Sequence, residues 1–335
     1  MTLQQEAAAV AGRIAVVGGG SLGLLLAGRL AAAGADVRLV VRTAAQRDRL
    51  RTEGLCVEAV DGTISACVPA FAAADPPDGP VEWVLLCVKQ RHVADAAPVC
   101  AAWLGVSGRL VAWLNGLGHE EVLARWVDDA RLYAAVTTEG ALRMDAVRVR
   151  HTGRGETHLG PMNPRAGTRP EGGAALSALV AVLRRAGFVA HVTPDIRPRM
   201  WRKLAVNCAI NPLTALLGVP NGALVDAAEL HPVMRAVVEE VAAVAAAEGV
   251  VLGDDPVGAP IADHLLDEVF AVCRRTAANR SSMLQDLERG HPTEIAHLNG
   301  AVASRAARRG LAAPVNATLA QLVRAKEALV HGRKG

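Results

Sequence analysis

A glycine-rich turn between an apolar segment and a helical one limits the possible folds of this chain more than any other part of its sequence. Residues 13–17 are an apolar run typical of a strand, Gly-Gly-Gly-Ser-Leu-Gly follows at 18–23, and residues 24–33 predict a helix that ends at Gly34. Strand, GxGxxG and helix in this order are the context in which a parallel-sheet domain binds a dinucleotide. The sequence therefore predicts an N-terminal Rossmann-type α/β domain.

Each residue of the glycine motif has a separate physical role. Gly18 permits the tight turn, Gly20 lets the backbone approach a pyrophosphate, and Gly23 lets the helix pack close to the strand. The start of the helix offers backbone N–H groups and a partial positive charge to phosphate oxygens. We therefore predict that these three glycines bind a dinucleotide cofactor together with Ser21 and Leu22.

The end of the second predicted strand, at 36–41, indicates which dinucleotide is bound. An NAD site usually has an acidic residue here, which binds the ribose 2′-hydroxyl. This chain has Arg42 instead, and a guanidinium suits a 2′-phosphate. Arg42 therefore favours NADP(H). The alternative is a solvated arginine that opens the next helix, close to Arg47, Arg49 and Arg51.

The ends of two later strands also carry polar residues. Further strands are predicted within 55–69 and at 83–88, 109–114, 132–137, 147–152, 156–160 and 188–192, with helices at 92–104, 119–127 and 174–186 and a loop at 161–173. Ligands bind at the carboxyl ends of strands in open α/β sheets, which is where Lys89 and Asn115 lie. A strand-end lysine is more often simply exposed, and Asn-Gly is normally only a turn.

The character of the chain changes beyond Pro194, where strand patterns stop and long helices rich in Ala, Leu and Val follow. We place the domain boundary there, with an α/β domain at 13–194 and a helical domain at 195–335. Residues 1–12 are interpreted as a short disordered extension. Since only 3% of the chain is aromatic, the cores must be built mainly from small aliphatic side chains.

The helical domain opens with an unusual segment at 200–222. Lys203, Asn207 and Asn211 are four residues apart, so they share one face of a helix that is otherwise apolar. Polar groups buried there need partners. The partner is either a polar network with another helix or a small anionic ligand rich in oxygen. Pro212 predicts that the helix kinks or ends at Asn211.

Three segments together resemble the ketopantoate reductase (2-dehydropantoate 2-reductase) family. They are the glycine motif, WRKLAVNCAINPLTALLGVPNG at 201–222, and SSMLQDLERGHPTEIAHLNG at 281–300. The resemblance extends from about residue 13 to about residue 327. It implies a Rossmann-type domain followed by an all-α domain like the C-terminal domain of 6-phosphogluconate dehydrogenase.

The resemblance implies a reaction and a set of residues. The reaction is the NADPH-dependent reduction of 2-dehydropantoate to (R)-pantoate in pantothenate and coenzyme A biosynthesis, in the cleft between the two domains. Lys203 is the implied general acid and Glu294 the second catalytic residue; without the resemblance, Glu294 is simply an acid in a first helical turn capped by Thr293. The implied substrate-binding residues are Asn115, Asn207, Asn211, Asn221 and Ser282. The implied NADP(H)-binding residues, besides the glycine motif, are Arg42, Lys89, Asn115 and Glu294.

Composition argues against several other classes of protein. The net charge of +3 is small for 335 residues, and no basic block suggests nucleic-acid binding. The six cysteines form no CxxC pair, which favours free thiols in a reducing compartment over zinc or disulfides. His151 and His158 lack a third ligand at metal spacing. We expect a cytoplasmic protein, monomeric or homodimeric, with a small 2-oxo acid as substrate and no secretion signal or membrane span.

Two alternative functions remain open from the sequence. The first is an NADP-dependent reductase of a different 2-oxo acid, because the motifs specify the chemistry better than the alkyl part of the substrate. The second is a non-catalytic protein that senses NADP(H). The presence of Lys203, Asn207, Ser282 and Glu294 argues against a sensor, which has no need of a proton donor.

Overall fold

The computed structural model describes residues 12–163, 170–253 and 260–332, and these residues form two compact units. The first contains the residues up to Leu114 together with His119–Ile196. The second contains Asn115–Gly118 and the residues from Arg197 onward. The predicted N-terminal extension, apart from residue 12, lies outside the described residues.

The first unit holds all the strands of the described chain, in two sheets. In chain order the strands are β1 (Ile14–Val17), β2 (Val37–Val41), β3 (Leu55–Ala59), β4 (Gly62–Ala66), β5 (Ala70–Ala72), β6 (Val81–Leu86), β7 (Leu104–Ala112), β8 (Leu132–Thr137), β9 (Gly140–Arg143), β10 (Arg148–Gly153), β11 (Glu156–Pro161) and β12 (Val189–Val192). The large sheet has the order β12-β11-β8-β7-β6-β1-β2-β5, and the small sheet has the order β4-β3-β10-β9.

The large sheet is parallel except where β11 meets β8. β1 and β2 are buried along their whole length, as expected for parallel strands that are covered on both faces. The carboxyl ends of β1, β2 and β6 therefore meet at one edge, where the glycine motif follows β1. The prediction of a Rossmann-type α/β domain is confirmed.

Twelve α-helices are described. In chain order they are α1 (Ser21–Ala32), α2 (Ala44–Glu53), α3 (Val93–Trp103), α4 (His119–Leu123), α5 (Pro170–Arg185), α6 (Arg197–Leu217), α7 (Ala223–Asp226), α8 (His231–Ala247), α9 (Ile261–Arg275), α10 (Ser282–Glu288), α11 (Asn299–Arg308) and α12 (Pro314–Gly332). Several predicted bounds were wrong in extent. The loop assigned to 161–173 already becomes helical at Pro170, and the helix assigned to 119–127 ends at Leu123. None of the described helices is both long enough and apolar enough to cross a bilayer.

Helix α1 packs against both sheets of the first unit. A Cβ at Gly28 would lie 2.5 Å from Val57 of β3, so this glycine permits close packing. On the same helix, buried Arg29 donates to Nδ1 of His151 at 3.1 Å, and Nε2 of His151 bonds to the Glu139 carboxylate. Because a guanidinium only donates, the His151 proton lies on Nε2. Both ring nitrogens have protein partners, which explains this histidine without a metal.

The second unit is helical, and α6 is its central element. This helix packs against α8, α9, α10 and α12. Its buried side chains join a cluster dominated by Ala, Val and Leu, as the low aromatic content led us to expect. The prediction of an all-α second domain is confirmed.

Of the two predicted outcomes at Asn211, an end of the helix was wrong, because α6 continues through Pro212 to Leu217; a kink there stays a prediction. Proline has no N–H to donate to the carbonyl four residues earlier, which here belongs to Cys208. Nδ2 of Asn299, the first residue of α11, donates to that carbonyl at 3.0 Å. The amide of Asn299 therefore supplies the hydrogen bond that the proline removes.

Asn299 is itself held by a buried polar chain. Its Nδ2 also donates to Oδ1 of Asn316 at 2.9 Å, and Nδ2 of Asn316 donates to the Glu240 carboxylate at 2.7 Å. Both asparagines are 0% exposed. Unpaired polar groups at such depth would be costly, so the chain fixes α6, α8, α11 and α12 relative to one another.

Replacing Asn299 with alanine tests the hydrogen bond from Asn299 to the Cys208 carbonyl. We expect Asn299→Ala to lower the free energy of unfolding by about 1–3 kcal/mol for each buried partner left unpaired, as measured by chemical denaturation. Pro212→Ala restores an N–H to the Cys208 carbonyl, so the same Asn299→Ala change should cost about 1 kcal/mol less in that background. An equal cost in both backgrounds would show that the Cys208 contact contributes nothing.

Candidate active site

Two glycines of the motif are required by the protein itself. Gly18 has φ = 125°, and a Cβ there would lie 2.5 Å from the Cys87 carbonyl oxygen. A Cβ at Gly23 would lie 1.8 Å from the Gly18 carbonyl oxygen. Both contacts are impossible for a larger residue, so these glycines bring the start of α1 against the end of β1.

Gly20 differs, because none of the described atoms lies close enough to require a glycine there. Its backbone is extended, with φ = −85° and ψ = −172°. The nearest atom to a Cβ added at this position would be the Cys87 carbonyl oxygen, at 4.0 Å. Gly20 is the N-cap of α1, and no side chain of the described residues caps this helix end. The open space at the unsatisfied N–H groups of a twelve-residue helix fits the diphosphate of a dinucleotide.

Ser21 and Leu22 form the first turn of α1. The Ser21 hydroxyl accepts the backbone N–H of Arg143 at 3.0 Å, and Leu22 packs against the core of the first unit. The hydroxyl thus ties the helix start to β9. What these two residues offer to an anion is their backbone N–H groups.

Arg42 is distinguished from the other arginines near it by its contacts. Arg47 pairs with Asp48 and Asp75, Arg49 pairs with Glu53, and Arg51 donates to a backbone carbonyl. Arg42 is exposed, and within the described ranges no carboxylate pairs with it. Its contact is Nε2 of His92, 3.5 Å from Nη1. This arrangement favours an anion-binding role over the alternative of an ordinary surface arginine.

Lys89 lies three residues beyond β6 and is partly buried. Its backbone is extended, and a single 3-10 turn, Gln90–His92, begins directly after it. Lys89 is therefore at the same sheet edge as the glycine motif, where the sequence predicted it.

Helix α6 presents the predicted polar row. Lys203, Asn207 and Asn211 are spaced by about 6 Å along its axis. Lys203 and Asn207 are partly buried, and Asn211 is 8% exposed. Burial lowers the pKa of Lys203 to about 8, while the charge of Glu294 acts in the opposite direction. An ammonium that releases its proton near neutral pH suits a general acid.

Glu294 lies close enough to Lys203 for its charge to act on that lysine, and it is 9% exposed. Its segment is fixed from two sides. The N–H of Thr293 donates to Glu327 of α12 at 2.6 Å, and Asn299 binds the Cys208 carbonyl of α6. Only a three-residue 3-10 turn follows Glu294. A helix-capping role alone therefore does not account for this buried acid.

The two adjacent serines near 281 have different environments. Ser281 is 6% exposed, caps α10 through the N–H of Leu284, and accepts the hydroxyl of Thr214 at 2.7 Å. Ser282 is exposed. Since Thr214 follows Asn211 by three residues, this bond joins Ser281, the neighbour of Ser282, to the turn of α6 that follows Asn211. The sequence did not reveal that Thr214 and Ser281 make this connection.

Asn115 belongs to the second unit through the loop that it opens. The N–H of Leu117 donates to the carbonyl of His297 at 3.0 Å. Gly116 has φ = 79°, and a Cβ there would lie 2.4 Å from the same oxygen. The loop thus packs on the turn that follows Glu294, which brings Asn115 into the neighbourhood of the acid.

Asn221 has a different setting from the other predicted substrate-binding residues. Its Nδ2 donates to the Thr276 hydroxyl at 2.9 Å, and its backbone N–H bonds to Asn279. This side chain is 8% exposed, and its amide joins the segment before α7 to the residue that follows α9. The contacts of Asn221 indicate a role in packing, and its role in substrate binding stays a prediction.

Family profiles match both units. The profile described as "Ketopantoate reductase PanE/ApbA" matches residues 14–164, and "Ketopantoate reductase PanE/ApbA C terminal" matches residues 195–327. The chain is 36% identical to 2-dehydropantoate 2-reductase of Halobacterium salinarum over 313 residues, covering 93% of this chain and 98% of that protein. It is 34% identical to the enzyme of the same name from Archaeoglobus fulgidus over 322 residues, covering 94% and 98%.

Solved structures share the fold. A PanE/ApbA family ketopantoate reductase from Ralstonia eutropha is 31% identical with a TM-score of 0.82, over 95% of this chain and 99% of that one. A D-mandelate dehydrogenase in complex with NADH is 25% identical with a TM-score of 0.83, over the same shares of the two chains.

Gly20, where a Cβ has room, and Gly23, where it does not, give a matched pair of variants. We expect Gly20→Ala to leave the free energy of unfolding unchanged or about 0.4–1 kcal/mol higher, yet to weaken NADPH binding on the order of tenfold. Gly23→Ala should destabilise the fold itself, because its Cβ meets backbone. Thermal unfolding and a fluorescence titration with NADPH measure both effects, and unchanged NADPH affinity in Gly20→Ala would contradict a diphosphate site at this turn.

The low pKa of Lys203 is directly measurable, because the chain has only four lysines. In NMR spectra of protein labelled with ¹³C-lysine, we expect the signal that Lys203→Met removes to titrate near pH 8. Glu294→Gln removes a charge that favours the ammonium, so it should shift this titration to lower pH. A titration near the ordinary value of about 10.4, or no shift in Glu294→Gln, would refute this electrostatic coupling.

Proposed function

Because the chain belongs to the ketopantoate reductase family, we propose that it reduces 2-dehydropantoate to (R)-pantoate with NADPH. This reaction is a step of pantothenate and coenzyme A biosynthesis. The observation that carries the proposal is the polar row on α6, in which a lysine of lowered pKa is coupled to the buried Glu294.

The reaction makes three demands on the protein. A 2-oxo acid has a ketone beside a carboxylate, so its reduction requires a hydride at C2, a proton for the resulting oxygen, and a fixed carboxylate. NADPH supplies the hydride when it is bound. Lys203 polarises the ketone oxygen with its ammonium and then transfers a proton to it. Glu294 keeps that ammonium charged and oriented until the proton is transferred.

The remaining residues of the row bind and orient the substrate. The amides of Asn207 and Asn211 donate to carboxylate and hydroxyl oxygens. Ser282 adds a hydroxyl at the end of the row, and Asn115 adds an amide beside Glu294. Holding the ketone against the proton donor in this way accelerates the reaction by fixing its geometry. The bonds of Thr214 and Asn299 to their partners keep these elements in place.

The cofactor is assigned to residues of the first unit. Gly18, Gly20 and Gly23 form the turn for the diphosphate, with the N–H groups of Ser21 and Leu22. Arg42 binds the 2′-phosphate, because its guanidinium is exposed and is not paired with a described carboxylate. Lys89 contributes a further positive charge at the same edge of the sheet.

The D-mandelate dehydrogenase structure supports a second candidate function. That protein shares the whole fold with this chain at 25% identity and is bound to NADH. A reductase of another 2-oxo acid would use the same proton donor and carboxylate clamp. The two candidates therefore differ in the substrate side chain and not in the mechanism.

We also propose that the protein acts in the cytoplasm, as a monomer or a homodimer. The described chain has six free cysteines, and Cys87, Cys100, Cys208 and Cys273 are buried. Buried unpaired thiols are usual in proteins of reducing compartments. Size-exclusion chromatography with light scattering distinguishes a monomer from a homodimer.

NADPH oxidation, followed by absorbance, tests the proposed reaction. We expect rapid turnover with 2-dehydropantoate, and slower turnover with benzoylformate, other 2-oxo acids or NADH. Lys203→Ala should lower kcat by about 10²–10⁴-fold with an unchanged circular dichroism spectrum. Lys203→Arg is the matched control, since it keeps the charge but does not release a proton at neutral pH; it should be similarly slow.

Each other result has a defined meaning. Turnover only with benzoylformate or another oxo acid would support the second candidate. NADPH binding without turnover would favour the sensor described above. Near wild-type kcat in Lys203→Ala would remove the proposed proton donor.

A further inference from the structure

His92 lies between two arginines at the edge of the sheet that carries the glycine motif. It ends the 3-10 turn that follows β6, whereas Arg42 directly follows β2. Its Nε2 is 3.2 Å from Nε of Arg91 and 3.5 Å from Nη1 of Arg42. Because β1 lies between β2 and β6, the contact between Arg42 and His92 spans the end of the strand that leads into the glycine turn.

These contacts define the protonation state of His92. Arginine has only donors, so Nε2 accepts from both guanidinium groups and the ring proton lies on Nδ1. Among the described residues, the charged groups that act on the ring are Arg42 from the end of β2, Arg91 from its own turn, and Asp95 from the first turn of α3. Burial lowers the pKa of His92, the two arginines lower it further, and Asp95 partly opposes them. The imidazole is therefore neutral in this arrangement.

A bound phosphate dianion would instead favour the protonated form of His92. Its oxygens accept several charge-assisted hydrogen bonds, so both guanidinium groups can turn from Nε2 to the phosphate. The freed Nε2 can then take up a proton and donate to the same anion. An added charge of −2 beside the ring favours the imidazolium by direct attraction.

We propose that His92 takes up a proton when the 2′-phosphate of the cofactor binds, so that His92 makes the selection of NADPH over NADH depend on pH. The inference rests on the proposed use of NADPH. Bound phosphate stabilises the protonated ring, so the gain in affinity is complete below the pKa of the free ring. The gain is lost as pH rises through the pKa of the complex. Preference for 2′-phosphorylated ligands therefore increases as pH falls from 8 towards about 6.5.

Calorimetry of the full-length protein tests the proposal without turnover. The probes are adenosine 2′,5′-bisphosphate and ADP, titrated at pH 7 in two buffers that differ in ionisation enthalpy. The dependence of the heat on the buffer gives the number of protons taken up. Wild type should take up roughly half a proton more per bound bisphosphate than His92→Gln, because glutamine keeps polar groups but does not titrate.

The difference between the two proteins isolates His92, since ionisation of the bisphosphate itself is common to both. ADP should show no such difference. Equal proton uptake by wild type and His92→Gln, with both binding the bisphosphate, would overturn the inference and leave the proposed function intact.

Arg42→Ala separates the inference from the cofactor assignment. We expect it to abolish the preference of the protein for the bisphosphate over ADP. If wild type already binds the two ligands with equal affinity, the proposed use of NADPH is wrong and so is the proposed role of His92.

Histidine NMR of the wild-type protein tests the same proposal without relying on the folding of a variant. One of the ten imidazoles should titrate at higher pH with bisphosphate than with ADP, and identical titrations would contradict the proposal.

Discussion

The hydrogen bond from Asn299 to the carbonyl of Cys208 is the interaction on which the helical unit most depends. A proline inside a helix removes one backbone hydrogen bond, and in α6 the loss falls within the polar row. The side chain of Asn299 replaces that bond across 91 residues of sequence. Since Asn299 is five residues from Glu294, the bond that completes the helix also anchors the segment bearing the acid. The same hydrogen bond therefore keeps α6 continuous through Pro212 and positions the segment that carries Glu294.

The position of Glu294 matters because two opposing effects act on the pKa of Lys203. Burial disfavours its ammonium, and the nearby carboxylate of Glu294 favours it. Burial alone would lower the pKa of Lys203 further, whereas a stronger influence of the carboxylate would raise it. The balance between them brings the pKa to about 8, in the range where proton donors work well at neutral pH.

The sheet edge of the first unit that carries the glycine motif also combines two local features. Gly18 and Gly23 are glycines because the protein has no room for a Cβ, and Gly20 is a glycine although the protein has room. Nearby, Arg47 and Arg49 are neutralised by carboxylates, whereas Arg42 meets a histidine. Gly20 lies in the turn after β1, and Arg42 follows β2. Because these two strands are neighbours in the sheet, the open space and the positive charge lie at the same edge. This is the pattern expected of a surface shaped for an anionic ligand rather than for internal packing.

Features that depend on neighbouring residues could be predicted from the sequence. Strand, glycine turn and helix follow from local backbone geometry, and the row of Lys203, Asn207 and Asn211 follows from helical periodicity. Which of the two adjacent serines is buried depends on long-range packing, because Ser281 bonds to Thr214, 67 residues away. The passage of α6 through Pro212 likewise depended on Asn299, and the proximity of Glu294 to Lys203 depended on packing. Such contacts join residues that are far apart in the sequence, and a local sequence pattern does not identify the distant partner.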